Sequence, residues 1–474
     1  MEENKFIDKI KEMSNQNSGI SIRKIYNMDT EIFILYILQL TDRECISNSI
    51  IKPILEYDKE RISIDIIARS IIYMDDISMN DDEEKILDYI LKGKSIILIP
   101  NEEKYIVANT YEVEKRNVES PRIQSALKGP RDSFTENFET NLSLIRYRIK
   151  DAALRIDNFT IGERTKTNVA VVYIEDVANP EYVDDVKKRL KDIKVDGVVE
   201  SGYVQKFIRN NTFDLFPQIG IAERSDTTCS ELLNGKIAII VEGSNLALLL
   251  PKTFIEFLDA GEDHYENIYL GVFTKFLRIL AFLITLTLSS LYIAVVSFHP
   301  DILPPQYILV LATARITVPV NSLIEVTLME LVGEILKEAS VRLPQEIGTA
   351  IGIVGTIVIG QAAVVAGLVS PLTVIIISLA TMTSFAFRDH TIMAPIRILK
   401  FMLIFITGIL GMFGFTMGIT FIVINLISHS SFGVPYTAPV APLNVKELKK
   451  FIFSDITLNK KRPRFLKPRD KKRQ

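Results

Sequence analysis

The residues able to do chemistry are few, and most are wrongly spaced for it. Gly93-Lys94-Ser95 has the ending of a phosphate-binding loop, but such a loop needs glycine five residues before Gly93, where Asp88 stands. The apolar run that should precede the loop follows it instead, so nucleotide binding is rejected. Asp75-Asp76 and Asp81-Asp82-Glu83-Glu84 fit no EF-hand spacing and read as a solvated acidic loop. His264, His299, His390 and His429 are scattered, without a second ligand at helical spacing, so no metal site is expected. Cys45 and Cys229 stand far apart, which excludes a disulfide framework or a thiolate zinc site and fits a reducing compartment. With no Gly-x-Ser-x-Gly, Cys/His pair or paired carboxylates in a pocket, the sequence offers no enzyme and needs no cofactor.

Two patterns remain, both in apolar surroundings. Glu330, Glu334 and Glu338 recur every four residues, with Leu328, Leu331, Ile335 and Ala339 opposite, so residues 323–342 read as an amphipathic helix. Like charges at that spacing repel by a few tenths of a kcal/mol per pair, and Lys337 and Arg342 compensate only in part. One reading is an interfacial helix with a wet acidic face. The other is a ring of subunits whose glutamates surround a mouth and concentrate cations. The second pattern is residues 347–368, nearly half of which are small. Gly348-x-x-x-Gly352 lets helix backbones approach closely where lipid supplies no hydrophobic drive. Ordinary helix packing explains it. A sharper reading lines a narrow, dewetting pore with Gly352, Thr356 and Gly360, with Gly355, Gln361 and Val364 as neighbours.

The elements that hold these residues follow from how charge is distributed. The chain has 474 residues, a net charge of −3 and 24% charged residues, yet a mean hydropathy of +0.21. Both hold only if polar and apolar stretches are segregated. From residue 343 to 445 the only charged residues besides histidine are Glu346, Arg388, Asp389, Arg397 and Lys400. The expectation is an α/β cytoplasmic region in two parts, 1–120 and 121–265, then an all-α membrane domain over 266–445 and a basic tail over 446–474. Four transmembrane helices are expected, at 271–298, 347–368, 372–387 and 395–427; the last is also long enough for two short spans. Arg315 and Pro319 interrupt 308–320 too early for a crossing, which makes it a re-entrant candidate. The tail carries twelve Lys/Arg against three Asp/Glu. That favours the cytoplasmic face and anionic lipid over a nucleic-acid arm, and with no signal peptide both termini are expected inside.

In the soluble part, 34–40 and 62–73 look helical and 95–100 looks like a buried strand. Residues 116–131, with Pro121, Gly129 and Pro130, make the candidate linker. A helix over 138–153, a strand over 169–174, a helix over 180–192, a short strand at 198–199, a helix near 203–209 and a strand over 236–241 argue for a small α/β domain.

Several stretches resemble the A subunits of the GerA-type spore germinant receptors. They include residues 136–150, 162–167 and 172–200, Phe298-His299-Pro300, 338–344, the run 355–367 with Val369-Ser370-Pro371, and 431–436. Gly360-Gln361-Ala362-Ala363-Val364 is the most specific of these. Ser225, Asn245 and Val320-Asn321 depart from the family pattern, and residues 1–115 carry no clear match. The resemblance implies a spore inner-membrane protein that responds to small nutrients beside a B transporter-like subunit and a C lipoprotein. It further implies a self-oligomer forming a channel for monovalent cations, with the principal nutrient pocket in the B partner. A nutrient transporter and a pore-less scaffold are the rival readings. The transporter reading lacks a visible repeat and a charge in the middle of the candidate spans.

Overall fold

The computed structural model describes residues 19–112, 132–340, 345–453 and 459–473, apart from 29, 60, 61, 101, 260, 265, 266 and 388. The expected linker at 116–131 lies outside the described residues. The chain divides into two units. One comprises 1–212, 219–251 and 460–474, and the other 213–218 and 252–459.

The first unit holds two five-stranded antiparallel sheets. One runs β1 (Ile20–Asn27), β2 (Thr30–Ile37), β4 (Ser95–Leu98), β5 (Tyr105–Ala108) and β3 (Ile77–Asn80) in spatial order. Here the sequence expectation for 34–40 fails. The apolar run belongs to β2, a strand buried on both faces, with Ile32 and Ile34 in one core and Phe33, Leu35 and Ile37 in the other. A strand covered on both sides loses its alternation and cannot be told from a buried helix by period. The helical reading of 62–73 holds, as α and π turns over 64–71. Gly93, with a positive φ of 82°, ends helix α1 (Glu84–Leu91), and Ser95 is buried in β4, 2.6 Å from Thr110 Oγ1.

The second sheet has the order β6 (Leu154–Ile161), β7 (Thr167–Ile174), β9 (Ile237–Val241), β10 (Ala247–Leu250), β8 (Gly220–Ala222). Helices α2 (Phe138–Arg148) and α5 (Ser225–Leu233) cover one face through Leu142, Ile145 and Leu232. Helix α3 (Pro180–Lys191) lies across the other, where Lys187 bonds Asp157 at 2.6 Å and Tyr173 at 3.1 Å. The helix near 203 is α4 (Ser201–Phe207), whereas residues 198–199 form no strand. The α/β reading stands, with wholly antiparallel sheets.

Residues 460–473, expected as part of a lipid-facing tail, fold back onto this unit. Lys461 and Lys472 form a β-bridge, Arg462 Nε donates to the Leu233 carbonyl at 2.7 Å, and the Arg469 amide bonds Val177 O at 3.0 Å. Leu466 is fully buried.

The second unit is helical. Helix α6 (Ile268–Ile293) continues through a π turn to Phe298; α7 (Pro305–Arg315), α8 (Ser322–Ser340), α9 (Gln345–Val365), α10 (Pro371–Ser384), α11 (Met393–Ser428) and α12 (Val445–Ile452) follow. Helix α11 is not one rod. Gly411 has φ 63° and ψ −141°, a conformation open to glycine alone, and it folds the helix into two antiparallel halves. A Cβ on Gly418 would sit 2.5 Å from Leu403, and Gly414 packs on the Ile406 carbonyl. In a straight helix, at about 1.5 Å per residue, residues 403 and 418 would stand about 22 Å apart.

Pairwise contacts fix the directions. Ser289 meets Glu330 and Ser297 meets Ser322, so α6 and α8 are antiparallel. Gly355 faces Leu336 and Gly360 faces Met329, so α8 and α9 are antiparallel. Gly360 faces Val374 and Gly352 faces Phe385, which reverses α10 again. Lys400 meets Glu330 and Gly408 meets Leu323, which sets the first half of α11 against α8. Counting α6, α8, α9, α10 and the two halves of α11, six helices alternate in direction. The sequence expectation of four transmembrane helices sets 323–342 apart as an amphipathic helix and leaves 395–427 long enough for two short spans.

Candidate functional site

The departure that matters most is in α8. A water-facing amphipathic helix puts its charges outward. Here Glu325, Glu330 and Lys337 are buried, while Ile324, Leu328, Leu331 and Ile335 are exposed. The expectation of a wet acidic face on 323–342 is therefore overturned for two of its three glutamates. Buried charges persist only when paired and hydrogen-bonded, and these are. Lys400, 3% exposed, sends its Nζ to Glu330 at 2.7 Å and to Glu334 at 3.1 Å. Ser289 Oγ donates to the other Glu330 oxygen at 2.5 Å, Arg397 approaches Glu334 at 3.1 Å, and Lys337 bonds Glu334 at 3.2 Å. The repulsion between glutamates four residues apart is answered by Lys400 and Arg397 from α11 and by Lys337 of α8 itself.

Glu338 is exposed and lies beside this cluster. With Glu334, Ile335, Arg397, Ile398 and Phe401 it lines a shallow, open depression of about 350 Å³. Nearer the other end of α8, Glu325 accepts the Ser370 amide at 2.6 Å, with Arg315 at 3.6 Å from its second oxygen. Ser370, Thr373 and Tyr292 share hydroxyl contacts of 2.9 to 3.4 Å next to it. This cap holds the tight α9–α10 turn, where Ser370 also caps α10.

The small residues of α9 serve close packing. Gly352 faces Ser340 and Phe385, Gly355 faces Leu336, and Gly360 faces Val374, where an added Cβ would sit 2.7 Å away. Thr356 is buried and bonds the Gly352 carbonyl at 2.8 Å. Val364 leans on the core formed by Ile293, Val326, Met329 and Ile377. Of the residues singled out in α9, Gln361 alone is exposed. It lies on the outward stripe Val354, Val358, Gln361, Val365, spaced for one face of a helix.

The sequence reading passed over Arg397 and Lys400. Their signal was legible: they are the pair of cations three residues apart in an apolar stretch, and so match acids spaced by four on a partner helix.

Residues 8–465 match the Bacillus/Clostridium GerA spore germination protein family. The chain belongs to that family. It is 34% identical to spore germination protein KA of Bacillus subtilis (strain 168), over 99% of this chain and 88% of the relative. It is 32% identical to spore germination protein B1 of the same organism, over 99% and 98%, and 34% identical to spore germination protein GerLA of Bacillus cereus, over 93% and 90%. A crystal structure of the N-terminal domain of the A subunit of the Bacillus megaterium spore germinant receptor GerK3 aligns with a TM-score of 0.41 at 28% identity, covering 52% of this chain and 94% of that one. The GerA match reaches into residues 1–115, beyond the stretches that carried the resemblance. The helix Ile268–Phe298 is long and apolar enough to cross a membrane, and so by length and composition is the stretch Met393–Ser428, which Gly411 folds into two shorter halves. A germinant-receptor role and association with a membrane follow.

Proposed function

We propose that this protein is the A subunit of a nutrient receptor in the spore inner membrane, working with B and C subunits, and that several copies enclose a channel for monovalent cations. The observation that carries the membrane half of this reading is the inverted α8. A helix that turns charge inward and leucine outward is stable only where the surroundings are apolar. Six alternating helices supply an even number of crossings. The segments before and after them, up to residue 251 and from 460, belong to the same unit, in keeping with both termini on the cytoplasmic side.

The conduit reading changes in detail. The Gly352–Thr356–Gly360 line is occupied by α8 and α10 of the same chain, so it sets helix spacing. The stripe Val354, Val358, Gln361, Val365 is the face of α9 left to line a shared conduit. A single polar ring from Gln361 within valine rings makes a dewetting constriction that one side chain can tune. Exposed Glu338 is left to attract cations, while Glu330 and Glu334 hold the bundle.

Single-channel recording of the purified, reconstituted full chain tests this. Gln361→Leu is expected to lower open-state conductance at least tenfold, while Gln361→Asn retains most of it. Recording no conductance from the wild-type assembly sinks the channel and leaves a scaffold.

A further inference from the structure

Helix α12 and the residues just before it expose an apolar surface unlike that of a soluble helix. Val440, Leu443, Val445 and Phe453 are exposed, Leu443 to 69% and Phe453 to 45%. Lys446 and Lys449 lie on the same outward side and have no ion-pair partner among the described residues. Glu447, the one acid between residues 440 and 453, is turned inward and bonds Lys450 at 2.8 Å. The outward face therefore carries apolar groups and positive charge with no carboxylate.

Its place is fixed by packing inside the second unit. Lys275, two turns into α6, donates to the Phe451 carbonyl at 2.7 Å and lies 4.6 Å over the Phe451 ring. The same ammonium bonds Asp259 at 2.8 Å. So α12 lies beside the first turns of a candidate span, which on the membrane reading is the level where a bilayer changes from headgroup to acyl chain. An amphipathic helix there buries its apolar side chains in the boundary, and lysines extend to the phosphates.

We infer that residues 440–453 form an interfacial anchor that selects anionic phospholipid headgroups, with Leu443, Val445 and Phe453 seated in the lipid and Lys446 and Lys449 on the phosphates. This rests on the membrane reading above. It also separates two halves of the basic C-terminus: 440–453 meets lipid, while 460–473 is bound to the protein's own α/β unit.

The chain contains no tryptophan, so a single introduced one reports on its site alone. The full chain carrying Phe453→Trp is placed in phosphatidylcholine vesicles with a minor share of phosphatidylglycerol, one lipid or the other brominated at equal mole fraction. Leu283→Trp, on the exposed face of α6, serves as the span control. Both reporters are expected to be quenched by lipid bromine. The Phe453→Trp reporter should sense brominated phosphatidylglycerol in excess of its bulk fraction. At about 1 kcal/mol per lysine near an anionic surface, that excess is about fivefold per lysine. It should fall towards one in Lys446→Gln/Lys449→Gln and return with arginine at both positions. Equal quenching by the two lipids overturns the anionic selectivity. Quenching of the Phe453→Trp reporter by aqueous acrylamide alone, with the Leu283→Trp control still lipid-quenched, overturns the anchor. Shielding from lipid and acrylamide alike puts a protein partner there instead and overturns it too. If the Leu283→Trp control itself escapes lipid bromine, the membrane reading fails.

Discussion

Helices α3 and α8 are built from the same kinds of residue and folded in opposite senses. In α3 the apolar Tyr182, Val183, Val186 and Leu190 point inward, while Glu181, Lys188 and Lys191 face water. In α8 Glu330 and Lys337 point inward, and Leu328, Leu331 and Ile335 face out. Periodicity is identical in kind, so it does not set the sense. The difference lies in what the outward face touches, and in whether each inward charge finds an opposite one. On α3 the salt bridge between Arg189 and Asp185 is a solvated i,i+4 pair, of the sort worth a few tenths of a kcal/mol. On α8 every buried charge has a partner on the same or a neighbouring helix, without which the inverted packing would not stand.

The sharpest way to break this comparison is to remove the cation. Lys400→Met leaves Glu330 buried with only Ser289 Oγ for company, and such a loss costs about 3–5 kcal/mol. The variant is expected to lose most of its thermal stability in detergent. Adding Glu330→Gln should recover a good part of it, because the orphaned charge goes with it. If the single variant melts like the wild type, the pair is not buried as described. A smaller effect is expected in the packing of α9. Gly360→Leu forces a side chain into Val374 and Met329 and is expected to destabilise by about 1–3 kcal/mol or more. Val358→Leu, on the exposed stripe, should stay within about 0.5 kcal/mol. Equal melting of the two would mean that α9 presents its glycines elsewhere.

Around the second sheet the two central strands, β7 and β9, and the helices were legible in the sequence because these elements are bounded by turn residues and are either continuously apolar or capped, whereas β6, β8 and β10 were not. Asn179 before Pro180 announces α3, and Asn137 announces α2. β6 was missed because its alternation, Leu154 and Ile156 against Arg155 and Asp157, breaks at Asn158 after too few positions to stand out from a loop. β2 was misread for the opposite reason, too much apolar character. In the helical unit the apolar stretches were found, but the inward sense of the α8 charges and the folding-back of α11 were not. The folded-back α11 depends on one dihedral at Gly411, and a glycine among Gly408, Gly414 and Gly418 gives no sign of which one turns. The inversion of α8 depends on Lys400, 70 residues away; the cation pair Arg397 and Lys400 stands out in its apolar stretch, but no local pattern says which helix it meets.

The gentlest test uses the solvated unit, where charge obeys the ordinary rule. Asp132 is half-buried, and burial alone would raise its pKa. The Arg148 guanidinium at 2.6 Å and the Ser225 hydroxyl at 2.8 Å prevail and hold its carboxyl below the usual value. A group whose pKa is lowered on folding adds stability above its unfolded pKa and loses it as pH falls through the folded one. The gap in hydrogen-exchange protection of α5 between wild type and Asp132→Asn is therefore expected to be full at pH 7, to persist to about pH 4, and to close below it. Because solvent reaches this pair, the gap should be modest, well under that from Lys400→Met. A gap unchanged down to pH 3 would show that the asparagine lacks something other than charge, and that the Asp132–Arg148 pair does not follow the ordinary rule for solvated charges.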